Sequence, residues 1–331
     1  MKLKTSFFNT TVLKKDITRF APLWGLYTVF MLLFLVLFFG DNQEPASIAT
    51  DAPYIMMAMG IVNFIYAGLC AIVLFGDLFS SKLCNALHAM PMRREGWFLT
   101  HIAAGMLFCV APNALGTLIA SVMLQQYCYL AFLWLAIMVC QFLFFFGIGA
   151  FSAQCAGNRL GAVAVYAIFN LLAVLAAFLI YTFYVPALYG IKFNWESFCR
   201  CSPVVGFSLM EYVSVKYNSI HNRADFAGFI TADWQYLFIA LAVGILLLAA
   251  AVILYRRRQM ESAGDFIAVR PASPIFLILY TLCVGAVLFF IADTLNDQLA
   301  YLFLVIGFAI GFFTGWMLLE KKVTLVHGQA M

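Results

Sequence analysis

The sequence predicts an all-α polytopic integral membrane protein of about eight transmembrane helices, with both termini cytoplasmic and an amphipathic interfacial helix at the N-terminus. Three observations carry this prediction. Of 331 residues, 65% are hydrophobic and only 10% are charged. Soluble domains are nearer half apolar and a quarter charged, so the surplus apolar surface must face lipid. Eight apolar stretches of about 20 residues, the length that crosses a bilayer as a helix, recur along the chain. Threading those stretches back and forth collects most Lys and Arg residues on one side. The same composition excludes a water-soluble enzyme, a disordered regulator and a nucleic-acid binder. The formal charge of +4 asks for no polyanionic partner.

The N-terminal segment, 1–20, comes first. From Leu3 to Phe20 it projects Val12, Leu13, Ile17 and Phe20 on one helical arc and Lys4, Lys14, Lys15 and Arg19 on the other, blurred by Phe7 and Phe8. This spacing predicts an interfacial helix along the inner leaflet, capped by Asn9 or Thr10, with its basic side near anionic headgroups. A plain basic tail that fixes topology is the alternative.

The apolar stretches run over 21–40, 53–76, 99–124, 127–151, 160–185, 234–255, 275–292 and 299–319. The first follows five basic groups, is longer than a signal peptide's apolar region and lacks a small-x-small cleavage site, so it reads as a retained span. Gln125-Gln126 alone divides the third from the fourth, and Asp293 to Gln298 divides the last two. Such short connections predict helical hairpins. The organisation expected is a six-helix core over 21–255, with a cytoplasmic loop at 77–98 and an outer segment at 186–233. A basic loop follows at 256–274, then a C-terminal hairpin and short tail at 275–331. Trp195, Phe198, Phe207, Leu209, Met210, Tyr212 and Val213 make the outer segment apolar enough to fold back onto the membrane.

Orientation follows from the basic residues, because Lys and Arg are retained on the cytoplasmic side. One face holds Lys2, Lys4, Lys14, Lys15, Arg19, Lys82, Arg93, Arg94, Arg159, Arg256, Arg257, Arg258, Arg270, Lys321 and Lys322. The other holds Lys192, Arg200, Lys216 and Arg223, all in the 186–233 segment, and long loops translocate largely regardless of charge.

None of the charged side chains falls near the middle of a predicted span, where ion-coupled carriers and pumps place their relays. No H-E-x-x-H, G-x-S-x-G or G-x-x-x-x-G-K-[ST] motif occurs, so no catalytic residue, metal or cofactor is expected, and any ATP hydrolysis belongs to another chain. His88, His101, His221 and His327 fall at span edges or in loops and read as solvated. The nine cysteines form no C-x-x-C pair and mostly read as small apolar packing residues. Cys199 and Cys201, on the outer segment, receive no role.

The loop from Asp77 to Phe98 is more informative. Pro91 disfavours helix at Met90, so the loop should divide into a short helix ending near Ala89 and a second helix opening near Met92 and running into the third span. The short helix carries Leu83, Leu87 and Met90 on one side, suited to a groove in a partner.

At this point a resemblance emerges. The basic amphipathic N-terminus, the stretch Arg19-Phe20-Ala21-Pro22-Leu23-Trp24-Gly25 entering the first span, and the loop Leu87-His88-Ala89-Met90-Pro91-Met92-Arg93-Arg94-Glu95 together resemble the type 2 ATP-binding-cassette exporter permeases, particularly those of Firmicutes. The run from Tyr255 to Gly264 is similar to that group as well. The likeness covers 1–270 well and 271–331 loosely. Arg93 departs from the small hydroxyl residue that commonly precedes the motif's Arg, here Arg94. Eight spans also exceed the usual six. The resemblance implies that the first cytoplasmic loop is a coupling helix docking on a separate ATPase, through Leu83, Leu87, Met90, Pro91, Arg94 and Glu95. It implies re-entrant helices within 186–233, a second permease chain of the same or another kind, and a bacterial plasma (inner) membrane. Simple capping of the third span by Arg94 and Glu95 is the alternative for those two charges.

In the last span, Gly307, Gly311 and Gly315 recur once per turn on one face, a spacing that lets helices approach closely in lipid. Packing within the chain and contact with a second permease are both open to it. The function expected is a permease subunit moving an amphiphilic substrate (lipid, peptide or drug-like) by alternating access, powered by a separate ATPase and embedded in the lipid bilayer. A non-transporting assembly, immunity or sensor subunit, or a secondary carrier, is the alternative.

Overall fold

The computed structural model describes residues 9–39, 45–88, 93–184, 200, 202–218, 223–258, 263–269, 272–295 and 297–320. Expectations resting on Lys4, Phe7, Phe8, Met90, Pro91, Cys199, Cys201, His221 and His327 lie outside these residues. The chain is mostly helical. In order it forms α1 (Thr10–Arg19), α2 (Ala21–Phe39), α3 (Pro45–Leu74), α4 (Ser81–His88), α5 (Arg94–Leu124), α6 (Cys128–Cys155), α7 (Arg159–Tyr184), α8 (Pro203–Ser208), β1 (Val213–Asn218), β2 (Arg223–Phe229), α9 (Thr231–Arg257), α10 (Ser273–Asp293) and α11 (Asp297–Glu320).

Among the described residues six segments are long and apolar enough to cross a membrane, seven when the bent α1–α2 pair is counted. The chain is a multi-pass, helical membrane protein. The longest segment, Arg94–Cys155, spans 62 residues and contains both α5 and α6. Gln125, at φ 47°, turns the chain between them, and each helix alone exceeds the roughly 20 residues a bilayer needs.

Local chemistry explains the helix ends. The Asn9 side chain caps α1, accepting from the N–H groups of Thr11 and Val12 at 3.0 and 3.3 Å. α1 ends at Arg19, and Pro22, which has no N–H to return to the Thr18 carbonyl, sits in the first turn of α2, where proline is suited. The two helices meet at 61°, and the Trp24 indole N–H donates to the Ile17 carbonyl at 3.0 Å across the corner. α3 begins at Pro45, well before the stretch expected from residue 53, since proline is suited to a first helical turn and Pro53 is accommodated within the helix.

The chain divides into two compact units. The first holds α1, α2, α3, α5, most of α6, the β-strands and α9. Its core is organised around Pro112, inside α5. Lacking an N–H, Pro112 leaves the Phe108 carbonyl without its helical donor, and the Tyr66 hydroxyl of α3 supplies one at 3.0 Å. Tyr66 stacks on Tyr27 of α2 at 3.8 Å, and the Asn113 amide donates to the Tyr27 hydroxyl at 3.1 Å. A second buried chain runs from the Asn63 amide to Gln141 Oε1 (3.0 Å) and from the Gln141 amide to the Tyr212 hydroxyl (3.0 Å). Burial pushes the Tyr212 phenol well above its ordinary value, so it remains protonated within that chain. α6 and α9 cross at glycine: a methyl on Gly147 would strike the Gly244 carbonyl, and one on Gly244 the Phe144 backbone.

Where re-entrant helices were expected, the described residues hold a six-residue helix, α8, and an antiparallel pair, β1 and β2. The reason is local. Val213-Ser214-Val215-Lys216-Tyr217 alternates apolar and polar residues at the period of a strand, and Gly228, at φ +144°, admits the bulge opposite Ser214 and Val215. The hydroxyl of Tyr127 accepts from the Ala224 N–H at 2.9 Å, holding the pair to the α5–α6 turn.

The second unit holds α7, α10 and α11, with the start of α4 and the end of α6. α10 and α11 form a hairpin whose core is Phe289, Ala292, Ala300 and Leu304, with Phe178 and Leu179 of α7 packed against it. The C-terminal carbonyls of α6, which have no partner within the helix, are satisfied by the Arg258 guanidinium, donating to Ala153 O at 2.8 Å and Gln154 O at 3.4 Å.

Candidate functional site

In the first unit, α1, the end of α3, the start of α5 and the end of α9 converge at one end of the bundle. α1 presents Val12, Leu13, Asp16, Ile17 and Phe20 inward and leaves Lys14, Lys15 and Arg19 exposed. Its apolar arc is the one the sequence shows, but an acid sits in the middle of it. Asp16 is 3% exposed and His101, on the second turn of α5, is 1% exposed. His101 Nδ1 lies 2.7 Å from Asp16 Oδ2, although the approach is not aligned as a hydrogen bond and His101 Nε2 has no partner among the described residues. The reading of His101 as solvated is therefore corrected. α5 opens at Arg94, close to the opening expected near Met92, and α1 folds across its first turns, so the imidazole is covered.

An aromatic wall completes the burial. Trp97 meets the imidazole edge-on at 4.1 Å and Phe75 does so at 5.9 Å, while Tyr255 of α9 stacks on Trp97 at 5.6 Å. Further polar ties hold the same end. The Asn9 N–H donates to Thr100 Oγ1 at 3.4 Å, Arg19 pairs with Asp77 at 3.1 Å, and Arg256 pairs with Glu95 at 3.0 Å. α1 is thus tied to α5 through Asn9 and Asp16, and to Asp77 through Arg19.

The residues singled out from the sequence divide between the units. Arg94 and Glu95 open α5 in the first; Arg94 is exposed, whereas Glu95 is engaged by Arg256 of the same unit. Leu83 belongs to the second unit. There α4 exposes Ser81, Lys82 and Leu83, the last at 44%, and buries Cys84. Ser81 donates to the Ala263 carbonyl at 3.2 Å, and Arg258 to the Leu78 carbonyl at 3.3 Å. Leu87 lies in the last turn of α4. Gly307, Gly311 and Gly315 face α10: a methyl at Gly307 would meet the Gly285 Cα at 2.8 Å, one at Gly311 the Thr281 Cα at 3.0 Å, and one at Gly315 the Leu277 side chain at 2.7 Å.

This end presents the exposed cations Lys14, Lys15 and Arg94 beside a buried apolar and aromatic core. Among the described residues no group of three or more His, Cys, Asp or Glu side chains is placed to hold a metal, and no disulfide links the described cysteines. Sequence reasoning missed Asp16, His101 and Arg256 as partners. A signal was present for the first, since an acid at position 16 interrupts an otherwise apolar arc. Compared with known proteins, the chain matches no family model, no curated protein and no solved structure.

Proposed function

We propose that the chain is the membrane-spanning permease subunit of an ATP-driven exporter. It crosses a bacterial plasma membrane eight times with both termini in the cytoplasm. It works with a separate ATP-binding-cassette ATPase and a second permease chain, and moves an amphiphilic substrate by alternating access. The observation that carries the reading is α4, a two-turn helix between two long apolar helices that turns Lys82 and Leu83 outward and anchors itself through Cys84. An exposed leucine on a short amphipathic helix is what a partner's groove accepts. The clamped α1, the basic termini of α5 and α9, and the resemblance of the Leu87 to Glu95 loop to coupling loops agree with it.

In this reading closure of the ATPase pushes on α4, and the bundle rocks between inward-open and outward-open states. Arg94 contacts the ATPase, whereas Glu95 positions α5 through Arg256. The test is purification of the tagged full-length chain from its native host in mild detergent, with chemical crosslinking. An ATPase bearing a phosphate-binding loop should be recovered with the wild type and lost with Leu83→Glu, while the variant keeps its elution volume and helix content. Failure to recover any such ATPase from the crosslinked wild type would overturn the proposal.

A further inference from the structure

At the end of the first unit opposite α1, Leu133 of α6, Phe229 of β2 and Thr231, Trp234, Gln235 and Phe238 of α9 line a hollow of about 440 Å³, within the range of about 300–1,000 Å³ usual for small-molecule sites. None of these side chains is charged. The Trp234 indole N–H is committed to the Tyr212 carbonyl at 2.9 Å, so the ring stands as an apolar wall. Phe229 meets it edge-on at 5.9 Å, and Phe238 lies tilted beside it at 5.9 Å. The Thr231 hydroxyl and the Gln235 carboxamide are the remaining polar groups of the lining, and both residues are exposed.

The hollow straddles the edge of the hydrocarbon. α9 has 27 residues, about 40 Å at 1.5 Å per residue, against a hydrocarbon core about 30 Å thick, so about 5 Å of helix projects at either end. α9 meets α6 at its middle residue, Gly244, which lies against Gly147. Thr231 and Leu133 precede those glycines by roughly 20 Å of helix. They stand about 5 Å outside the core, Gln235 stands at its edge, and Phe238 stands about 5 Å inside.

We infer that the hollow is a binding site for one diester phospholipid of that leaflet, its glycerol esters accepting from Gln235 Nε2 and Thr231 Oγ1 and the first carbons of one acyl chain lying on Trp234 and Phe238. The site continues the lipid-facing surface, since Phe132, Phe226 and Ile239 around it are exposed. Rings in contact from Tyr129 through Phe226, Phe229 and Trp234 to Phe238 form its rim, with Trp234 at the depth where amphipathic aromatics gather. A second helix is a poorer occupant, because helices associate in lipid over small residues and this wall is built of rings. With no charge in the lining, the esters are held and the headgroup is left unread. This inference rests on the membrane location and not on the exporter reading.

The test uses the purified full-length chain in maltoside micelles and phosphatidylcholine carrying a photoactivatable diazirine near the ester end of one acyl chain. Saturable labelling is expected in peptides covering 129–133 and 226–238. Gln235→Leu, at an exposed position, should weaken competition by unlabelled diester phosphatidylcholine about five-fold, the size of one net hydrogen bond. Competition by the diether analogue, which lacks the carbonyls, should be equal in wild type and variant. Phosphatidylglycerol should compete as well as phosphatidylcholine. Leu133→Trp, which fills the hollow, should abolish saturable labelling while helix content is kept. Labelling that rises linearly with lipid would mean an ordinary annulus and overturn the site. Saturable labelling that survives Leu133→Trp, an unchanged diester affinity in Gln235→Leu, or a clear preference for phosphatidylglycerol would overturn it as well.

Discussion

The α1–α5 contact of the first unit and the α10–α11 hairpin of the second hold helices together by opposite means. α1 is secured by polar groups, namely the buried Asp16–His101 pair, the Asn9 to Thr100 hydrogen bond and the Arg19–Asp77 pair. α10 and α11 meet through glycine and apolar side chains, with the Gly307 backbone on Gly285 and the Phe308 ring over Gly285. The difference reflects their surroundings. An amphipathic helix such as α1 has one polar face and can carry an acid inward where a partner meets it. Two helices immersed in hydrocarbon gain nothing from hiding apolar surface, and associate through close packing at small residues.

Five variants test that contrast, from the largest effect to the smallest. Asp16→Ala should be most damaging, at up to about 3 kcal/mol, the upper end for a buried polar group left without its neighbour. Thermal unfolding in detergent would show it, together with increased protease cleavage within α1. Asp16→Leu combined with His101→Leu should recover most of the loss, because replacing both members by apolar groups is often nearly neutral; a double variant as unstable as Asp16→Ala would show that packing, not the pair, holds α1.

Gly307→Val should cost about 3 kcal/mol, at the upper end for overpacking, because the added carbons meet backbone that cannot turn away. Cysteines placed on the facing surfaces of α10 and α11 should lose disulfide formation in that background, and undiminished crosslinking would refute the tight contact. Tyr66→Phe should cost on the order of 1–2 kcal/mol by leaving the Phe108 carbonyl unmatched in the core, read as a shift of the unfolding midpoint. Arg256→Ala should change stability by no more than about 1 kcal/mol, since its pair with Glu95 is half in solvent. Its unfolding curve should nearly overlay the wild type, and a large shift would mark Glu95 as more than a positioning group.

Much of the fold was legible from residue pattern. The helices α5, α6, α7, α9, α10 and α11 cover the apolar stretches read from 99 onward, with ends moved by a few residues. The Asn9 cap and the break of the Asp77–Phe98 loop into a short helix and a long one were also legible, because caps and proline act within a turn of chain. The candidate site was legible only in part. Leu83 and Arg94 are exposed, whereas Glu95 is engaged by Arg256, over 150 residues further on. The β1–β2 pair was overlooked because its alternation is short and lies in a segment whose apolar content drew the reading toward re-entrant helix.

What the sequence determined by itself was the medium and the local structure. Hydrocarbon demands long uninterrupted apolar helices, and such helices announce themselves by composition, as do their caps and breaks. What only the tertiary structure decided was the fate of the polar groups within it. His101 is buried rather than solvated because α1 folds back across α5; the Phe108 carbonyl, released by Pro112, is satisfied because Tyr66 stands opposite; and the Trp134 N–H meets no acceptor among the described residues. The first two of these outcomes depend on residues distant in sequence meeting within a few ångströms. Periodicity along one helix fixes which face turns inward, but the partner it finds there is set by how the helices pack.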